Sequence, residues 1–168
     1  NNPTGTRLCP QKVLELTKLS TKTLIVVDEL YEAFTGDSAL PLVNLEKTTN
    51  LVVLRSLSKT AGLAGLRIGF AMANSKVINI VNRVTGPYDV NSFAVKAAFA
   101  ALKDQNYIDS YVNKVLEARD WLKNKLLKHE VKHHIDGGNY LLIWPKSDPQ
   151  KVEQNLKSSG ILIRNMDK

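Results

Sequence analysis

The sequence predicts an α/β protein built on a largely parallel sheet. Two uninterrupted apolar runs, Leu24-Ile25-Val26-Val27 and Leu51-Val52-Val53-Leu54, each end in charged residues, which is how strands buried on both faces read. A third strand-like segment runs from Leu66 to Ala73. Segments with helical apolar spacing lie before and after these runs, and the alternation points to strands and helices packed in layers. The three strands are expected to be neighbours in the sheet. Open sheets of this kind bind ligands outside the carboxyl ends of their strands.

Taken in order, Pro10 to Leu19 carries apolar Val13, Leu14 and Leu16 and reads as a short helix. Residues 76–84 carry Val77, Ile78, Ile80, Val81 and Val84 at helical spacing, and Gly86-Pro87 breaks the pattern. Asn91 or Ser92 can cap an alanine-rich helix reaching Leu102. The longest helix is expected over 107–128, where Ile108, Tyr111, Val112, Val115, Ala118, Leu122 and Leu126 keep three- and four-residue spacing. About 20 residues of helix cover roughly 30 Å, enough to bridge two domains. After Gly137-Gly138, Tyr140 to Trp144 reads as a strand stopped by Pro145. Asp148-Pro149 opens a short helix through Leu156, with proline at its first position. Ser159-Gly160 ends that helix, and Ile161-Leu162-Ile163 reads as a further strand. The expected division is a larger ligand-binding part, 1–106, and a connecting helix with part of a smaller domain, 107–168.

Composition narrows the function classes. The 168 residues are 43% hydrophobic and 23% charged, the proportions of a folded chain, which excludes a disordered tail. No apolar run approaches the roughly 18–20 residues of a membrane helix, so no membrane partner is expected. Lys+Arg number 23 against 16 Asp+Glu, a net charge of +7. The basic residues are dispersed and densest from Lys123 to Lys132, near the end of the long helix, where cations complement the helix dipole. They read as a solvated face, and no nucleic-acid partner is expected. The single cysteine, Cys9, excludes an intrachain disulfide and points to a reducing compartment, the cytoplasm. His129, His133 and His134 are placed near the end of the long helix without metal-ligand spacing, so no metal site is expected. The chain opens on Asn1 without Met and stops just after a strand-like run, so it reads as a piece of a longer protein.

Four short motifs carry the candidate chemistry. Taken alone, Asn2-Pro3-Thr4-Gly5 is a turn. Asp28-Glu29-Leu30-Tyr31 directly follows the first buried strand. Its carboxylate and tyrosine can stand over one ligand, and a strand end turning to solvent with Asp as a cap fits equally well. Arg55-Ser56-Leu57-Ser58-Lys59 follows the second strand. A lysine in a loop is usually just solvated, but one pressed among neutral residues can have a lowered pKa and act as an imine-forming nucleophile. In Gly62-Leu63-Ala64-Gly65-Leu66-Arg67-Ile68-Gly69 the glycines permit close backbone approach, and the planar fork of Arg67, entering the next strand, suits a phosphate. Neither a G-x-G-x-x-G fingerprint nor a P-loop is present.

In this order the motifs resemble those of the fold-type-I pyridoxal-phosphate-dependent aminotransferases of class I and II. Ser-Leu-Ser-Lys-Thr-Ala-Gly-Leu-Ala-Gly-Leu-Arg-Ile-Gly-Phe is most similar to the histidinol-phosphate aminotransferase branch. Gly138-Asn139-Tyr140 and Gly160-Ile161-Leu162-Ile163-Arg164-Asn165 resemble small-domain segments of the same family. The resemblance implies a partial PLP-dependent-transferase fold with pyridoxal 5'-phosphate as cofactor. It makes Lys59 the catalytic residue, holding the cofactor covalently and then serving as general base. It implies Asp28 at the pyridine nitrogen, Asn2 and Tyr31 at the ring's phenolic oxygen, and Ser56, Ser58 and Arg67 at the cofactor phosphate. Arg164 would help bind a substrate phosphate. Partners would be a small-molecule amino donor and a 2-oxo acid, in a homodimer. A phosphothreonine decarboxylase-like or aromatic aminotransferase activity shares these motifs, and a non-catalytic cofactor-binding or regulatory module is the remaining reading. The family's phosphate-cupping loop and ring-stacking aromatic precede Asn-Pro-Thr-Gly, and its carboxylate-binding arginine follows the segment matching Arg164. This chain contains none of them and is not expected to turn over substrate by itself.

Overall fold

The structure is a computed structural model that describes residues 1–166. Helix α1 (Pro10–Leu19) begins with proline at its first position, where the missing N–H costs nothing. It buries Val13 and Thr17 against a three-stranded sheet. The strands are β1 (Ile25–Asp28), β2 (Leu51–Ser56) and β3 (Gly69–Ala73), in that spatial order. β1 and β2 run parallel, in register Ile25 to Leu51 through Asp28 to Leu54. β3 runs antiparallel to β2, pairing Gly69 with Ser56 and Ala73 with Val52. The expected parallel arrangement therefore holds for β1 and β2 and fails for β3. A parallel return needs a crossover, usually a helix. Residues 57–68 contain only turns and the 3₁₀ segment Ala64–Leu66, so the chain doubles straight back. That segment also carries Arg67 before the strand rather than into it.

Burial corrects a second expectation. β2 is fully enclosed over Leu51, Val52 and Val53, as its apolar run predicts, but β1 is not. Ile25 and Val27 pack with Val13, Ala39, Leu51 and Val53 under α1. Val26 on the other face is 55% exposed, because among the described residues β1 is an edge strand with that face uncovered.

After β3 come α2 (Ser75–Asn82), α3 (Ser92–Lys103) and α4 (Gln105–Lys128). Each has a side-chain cap that satisfies an otherwise orphaned amide. Asn74 accepts from Lys76 N at 3.0 Å, Asn91 from Ala94 N at 2.8 Å and Asp104 from Tyr107 N at 3.1 Å. Asp104 starts α4 two residues earlier than its apolar stripe does. A second core cluster joins Phe34, Leu57, Ile68, Ala94, Ala98, Ile108 and Val112, so the first half of α4 packs over the turn that follows β2. The expected boundary at 106/107 falls in the first turn of this helix.

A two-stranded antiparallel sheet follows, β4 (Lys132–His134) with β5 (Leu142–Trp144), and then α5 (Pro149–Ser158), capped by Asp148. His129 is the residue that caps α4, and His133 and His134 lie on β4 rather than on the helix. The run Ile161-Leu162-Ile163 forms no strand. No strand pairs with it among the described residues, and Leu162 stands 81% exposed. No helix among the described residues is long and apolar enough to cross a membrane, and no group of three or more His, Cys, Asp or Glu among them could hold a metal ion.

Candidate active site

Asp28 closes β1, and its Oδ1 accepts the Leu30 N–H at 2.9 Å. This short-range bond fixes the rotamer and leaves Oδ2 to meet a donor on a ligand. Tyr31 follows in the turn before the 3₁₀ segment Glu32–Phe34. Asn2 Nδ2 donates to the Tyr31 hydroxyl at 2.9 Å, so the Tyr31 O–H hydrogen is free to point elsewhere. Asn2 is held there by the tight turn through Gly5, whose N–H bonds Asn1 O at 2.7 Å; the Asn2–Pro3 peptide bond is cis.

Ser56 ends β2, opposite Gly69 of β3. Its hydroxyl donates to Ile68 O at 3.0 Å, lies 2.7 Å from Ser58 Oγ and accepts Ser58 N–H at 3.1 Å. With Ser56 donating to Ile68, the Ser58 hydroxyl donates to Ser56 Oγ. An anion placed here has to win a hydroxyl hydrogen from one of these two acceptors, which rotation of either side chain permits. Lys59 is half-buried in the turn after β2, beside buried Leu57 and Thr60. Arg67 adjoins Ile68, so the Ser56–Ile68 bond holds the arginine's backbone against the β2 end. The residue sits in the left-handed region at φ 55 and is exposed. That conformation costs a non-glycine residue about 1 kcal/mol. One nitrogen of its fork donates to Ala64 O at 3.3 Å, leaving most of its donors unspent.

The structure therefore gathers Asp28, Asn2 with Tyr31, and Ser56 with Ser58 at the carboxyl ends of β1 and β2, with Lys59 in the turn that follows. Arg67 is linked to them through Ile68. Arg164 stands apart. It lies beyond α5, where Glu153, Ile163, Asn165 and Met166 surround a separate hollow with it. A cleft of about 390 Å³ runs along β1 and is bordered by Asn1, Arg7, Asp28, Tyr31 and Gly137, so it touches one flank of the cluster.

Residues 1–166 match the description of aminotransferase class I and II. The chain belongs to this family. A histidinol-phosphate aminotransferase from Geotalea uraniireducens is 41% identical over 84% of this chain and 41% of its own length. The chain spans less than half the length of the curated relatives it matches. Among solved structures, the histidinol-phosphate aminotransferase of Sinorhizobium meliloti in complex with pyridoxal-5'-phosphate superposes with TM-score 0.85 at 25% identity, over 97% of this chain and 46% of that one. The L-threonine-O-3-phosphate decarboxylase of Porphyromonas gingivalis superposes with TM-score 0.83 at 26% identity, over 100% of this chain and 53% of that one.

Sequence reasoning gave no role to four groups that this chain builds around the cluster. Tyr140 donates its hydroxyl to Asn1 O and sets its ring edge-on to Tyr31, with centroids 5.3 Å apart at 78°. Burial pushes the Tyr140 hydroxyl above the ordinary phenol value, and the neighbouring Tyr31 adds to this. Gly5 O accepts Gly137 N–H at 2.9 Å, and a Cβ on Gly5 would come within 2.6 Å of Gly137 O. Buried Glu29 and Ser38 form a network with partly exposed Arg55 on the reverse side of the strand ends. Glu29 and Arg55 each sit one residue from a candidate site residue, and period-2 alternation puts such neighbours on the opposite face. Their pairing needs the strand register, which the sequence alone does not supply. Arg7 chelates Asp37 through Nε at 2.5 Å and Nη2 at 2.8 Å. These bonds to the Arg7 guanidinium hold the Asp37 carboxyl below the usual carboxylate range.

Proposed function

We propose that the protein is a pyridoxal-phosphate-dependent aminotransferase that moves the amino group of histidinol phosphate to 2-oxoglutarate, giving imidazole acetol phosphate and glutamate. The observation that carries this is the donor set at the β1 and β2 ends. It has one carboxylate with a free oxygen (Asp28), a hydroxyl whose hydrogen is not committed to Asn2 (Tyr31), paired serine hydroxyls (Ser56, Ser58), a guanidinium with most donors unspent (Arg67) and a lysine among them (Lys59). An electron-poor pyridine ring bearing a phosphate, a phenolic oxygen and an aldehyde matches that set group for group, so the residues fit the cofactor. The similarity to histidinol-phosphate aminotransferases supports the substrate.

Bound, pyridoxal phosphate supplies an electron-accepting ring that stabilises negative charge at the substrate's α-carbon. Asp28 Oδ2 accepts the ring N–H and keeps that proton in place. Asn2 Nδ2 holds the Tyr31 oxygen, which turns the Tyr31 hydrogen toward the phenolic oxygen. Ser56, Ser58 and Arg67 hold the phosphate through O–H and N–H donors, the arginine adding charge. Lys59 Nζ would hold the cofactor and would take the proton from the amino donor's α-carbon as general base. Arg164 takes the substrate's phosphate. In this reading 1–106 belongs to the cofactor-binding part and 107–168 to the connecting helix and small domain of a cytoplasmic homodimer.

The likeness to the phosphothreonine decarboxylase favours one second reading, loss of carbon dioxide from a phosphorylated amino acid on the same scaffold. The complete protein, supplied with cofactor, decides between the two. Glutamate formed from 2-oxoglutarate only when histidinol phosphate is added is the expected result. Carbon dioxide released from phosphothreonine without glutamate would contradict it.

A further inference from the structure

The β1–β2 register places two sets of side chains back to back. Asp28 pairs with Leu54, and Glu29 N–H continues the ladder to Leu54 O at 2.8 Å. Side chains alternate along each strand, so Asp28, Leu54 and Ser56 share one face while Glu29 and Arg55 share the other, under α1 and the 3₁₀ segment Leu40–Leu42. Glu29 is 8% exposed. One of its oxygens accepts Ala39 N–H at 2.7 Å. The other accepts Arg55 Nε at 3.0 Å, Arg55 Nη2 at 2.9 Å and Ser38 Oγ at 3.0 Å. Arg55 Nη2 also reaches Ser38 Oγ at 2.7 Å, and Nη1 lies 3.3 Å from Glu32 Oε2. Each end of this network is a chain neighbour of a candidate site residue. Glu29 follows Asp28, Glu32 follows Tyr31, and Arg55 precedes Ser56.

From this juxtaposition we infer that Arg55, with Glu29 and Glu32, is a positioning clamp that sets Asp28, Tyr31 and Ser56 relative to one another from the reverse face of the sheet. Glu29 and Arg55 lie on the face opposite Asp28 and Ser56. The β1–β2 ladder ends with Asp28 opposite Leu54 and the Glu29 N–H to Leu54 O bond, so beyond it one planar guanidinium gripping two carboxylates is what ties three separate segments together. A planar guanidinium that holds one Glu29 oxygen through Nε and Nη2 and Glu32 through Nη1 fixes both distance and direction, which a single ammonium does not. Ser38 and Ala39 close the network from the connecting loop, so the clamp also draws that loop onto the strand ends.

The consequence for cofactor affinity rests on the function proposed above, and the test separates the two. Arg55→Met alone strands the buried Glu29 carboxylate, so the informative variant is the double change Glu29→Gln with Arg55→Met, which removes both charges of the pair at similar volume and is expected to fold. Hydrogen exchange on the cofactor-free complete protein reads the clamp directly. The amides of Leu30 and Ser58, bonded to the Asp28 and Ser56 side chains, are expected to lose protection by about tenfold or more, while those of Val52 and Val53 in mid-strand do not change. The dissociation constant for pyridoxal phosphate is expected to rise by about 10- to 100-fold, the size of effect seen when outer-shell partners are removed. Arg55→Lys keeps the charge without the fork, gives the same pattern in smaller measure, and serves if the double variant does not fold. Unchanged exchange at Leu30 and Ser58 in a folded variant would overturn the clamp, whatever the cofactor does. Failure of the parent protein to take up pyridoxal phosphate would overturn the proposed function and leave the exchange result to decide the clamp.

Discussion

At their carboxyl ends β1 and β2 present two unlike faces. On one, Asp28 and, beside the β2 end, Arg67 hold hydrogen-bonding capacity in reserve. Asp28 engages one backbone amide, and Arg67 one carbonyl. On the other, Glu29 and Arg55 bond each other, Ser38, Ala39 N–H and Glu32 in a closed set. The two faces are made by alternate residues of the same strands. Groups meant to meet a ligand stay partly unsatisfied and exposed, and the residue next in sequence spends its bonding on the scaffold. A polar group can be left short of partners at the surface because water fills the gap, whereas beneath the sheet the same shortage would cost about 1–3 kcal/mol per group.

The largest way to break the ligand face is Lys59→Ala. Glutamate production by the complete protein is expected to fall by roughly a thousandfold or more, since the covalent anchor and the general base go together, with the melting temperature unchanged. Retention of turnover would remove Lys59 from the chemistry. Next comes Arg67→Ala, which deletes the unspent fork. The dissociation constant for pyridoxal phosphate, followed by fluorescence titration, is expected to rise about 10- to 100-fold, the equivalent of losing a charged hydrogen bond of about 1.5–3 kcal/mol. Arg67→Gly sharpens the contrast. It weakens cofactor binding equally, yet raises unfolding stability by about 1 kcal/mol because glycine accepts φ 55 without strain.

Gly5→Ala tests how the first residues are held to the cluster. At φ +74, with a Cβ 2.6 Å from Gly137 O, alanine is expected to cost about 2 kcal/mol in urea unfolding. It should also weaken cofactor binding, because Asn2 and the Asn1–Tyr140 bond shift with the turn. The smallest effect belongs to Asp37. Its carboxyl titrates lower in the folded chain than in the unfolded one, so its stabilisation is present above about pH 4 and fades as pH falls through the lowered value. Arg7 is 46% and Asp37 27% exposed at the side chain, and a surface pair of this kind contributes about 0.5 kcal/mol. Asp37→Asn should flatten the acid side of the stability curve by that amount in denaturant titrations.

What the sequence made legible follows the reach of each signal. Caps and prolines act within four residues, so Asn91, Asp148 and Pro10 mark helix starts correctly. The run Leu51-Val52-Val53 is enclosed as its composition suggests, while Val26 is not, because enclosure depends on a covering layer that lies elsewhere in the chain. β4 escaped notice because Lys132, His133 and His134 carry no apolar alternation. Its strand character comes from pairing with β5. The converse error is Ile161-Leu162-Ile163, apolar enough for a strand but without a partner among the described residues. At the site, Asp28, Lys59 and Arg67 were readable from motif order. The Glu29–Arg55 pair, 26 residues apart, and Tyr140 on Asn1, 139 apart, exist only once strands and turns are folded.

Whether Lys59 holds pyridoxal phosphate is read most directly by trapping the adduct. The complete protein is incubated with pyridoxal phosphate, reduced with borohydride and digested, and the adduct is located by peptide mass. A single adduct on Lys59, among the 17 lysines of this chain, is the expected result. Labelling scattered over surface lysines, with Lys59 unmodified, would contradict it.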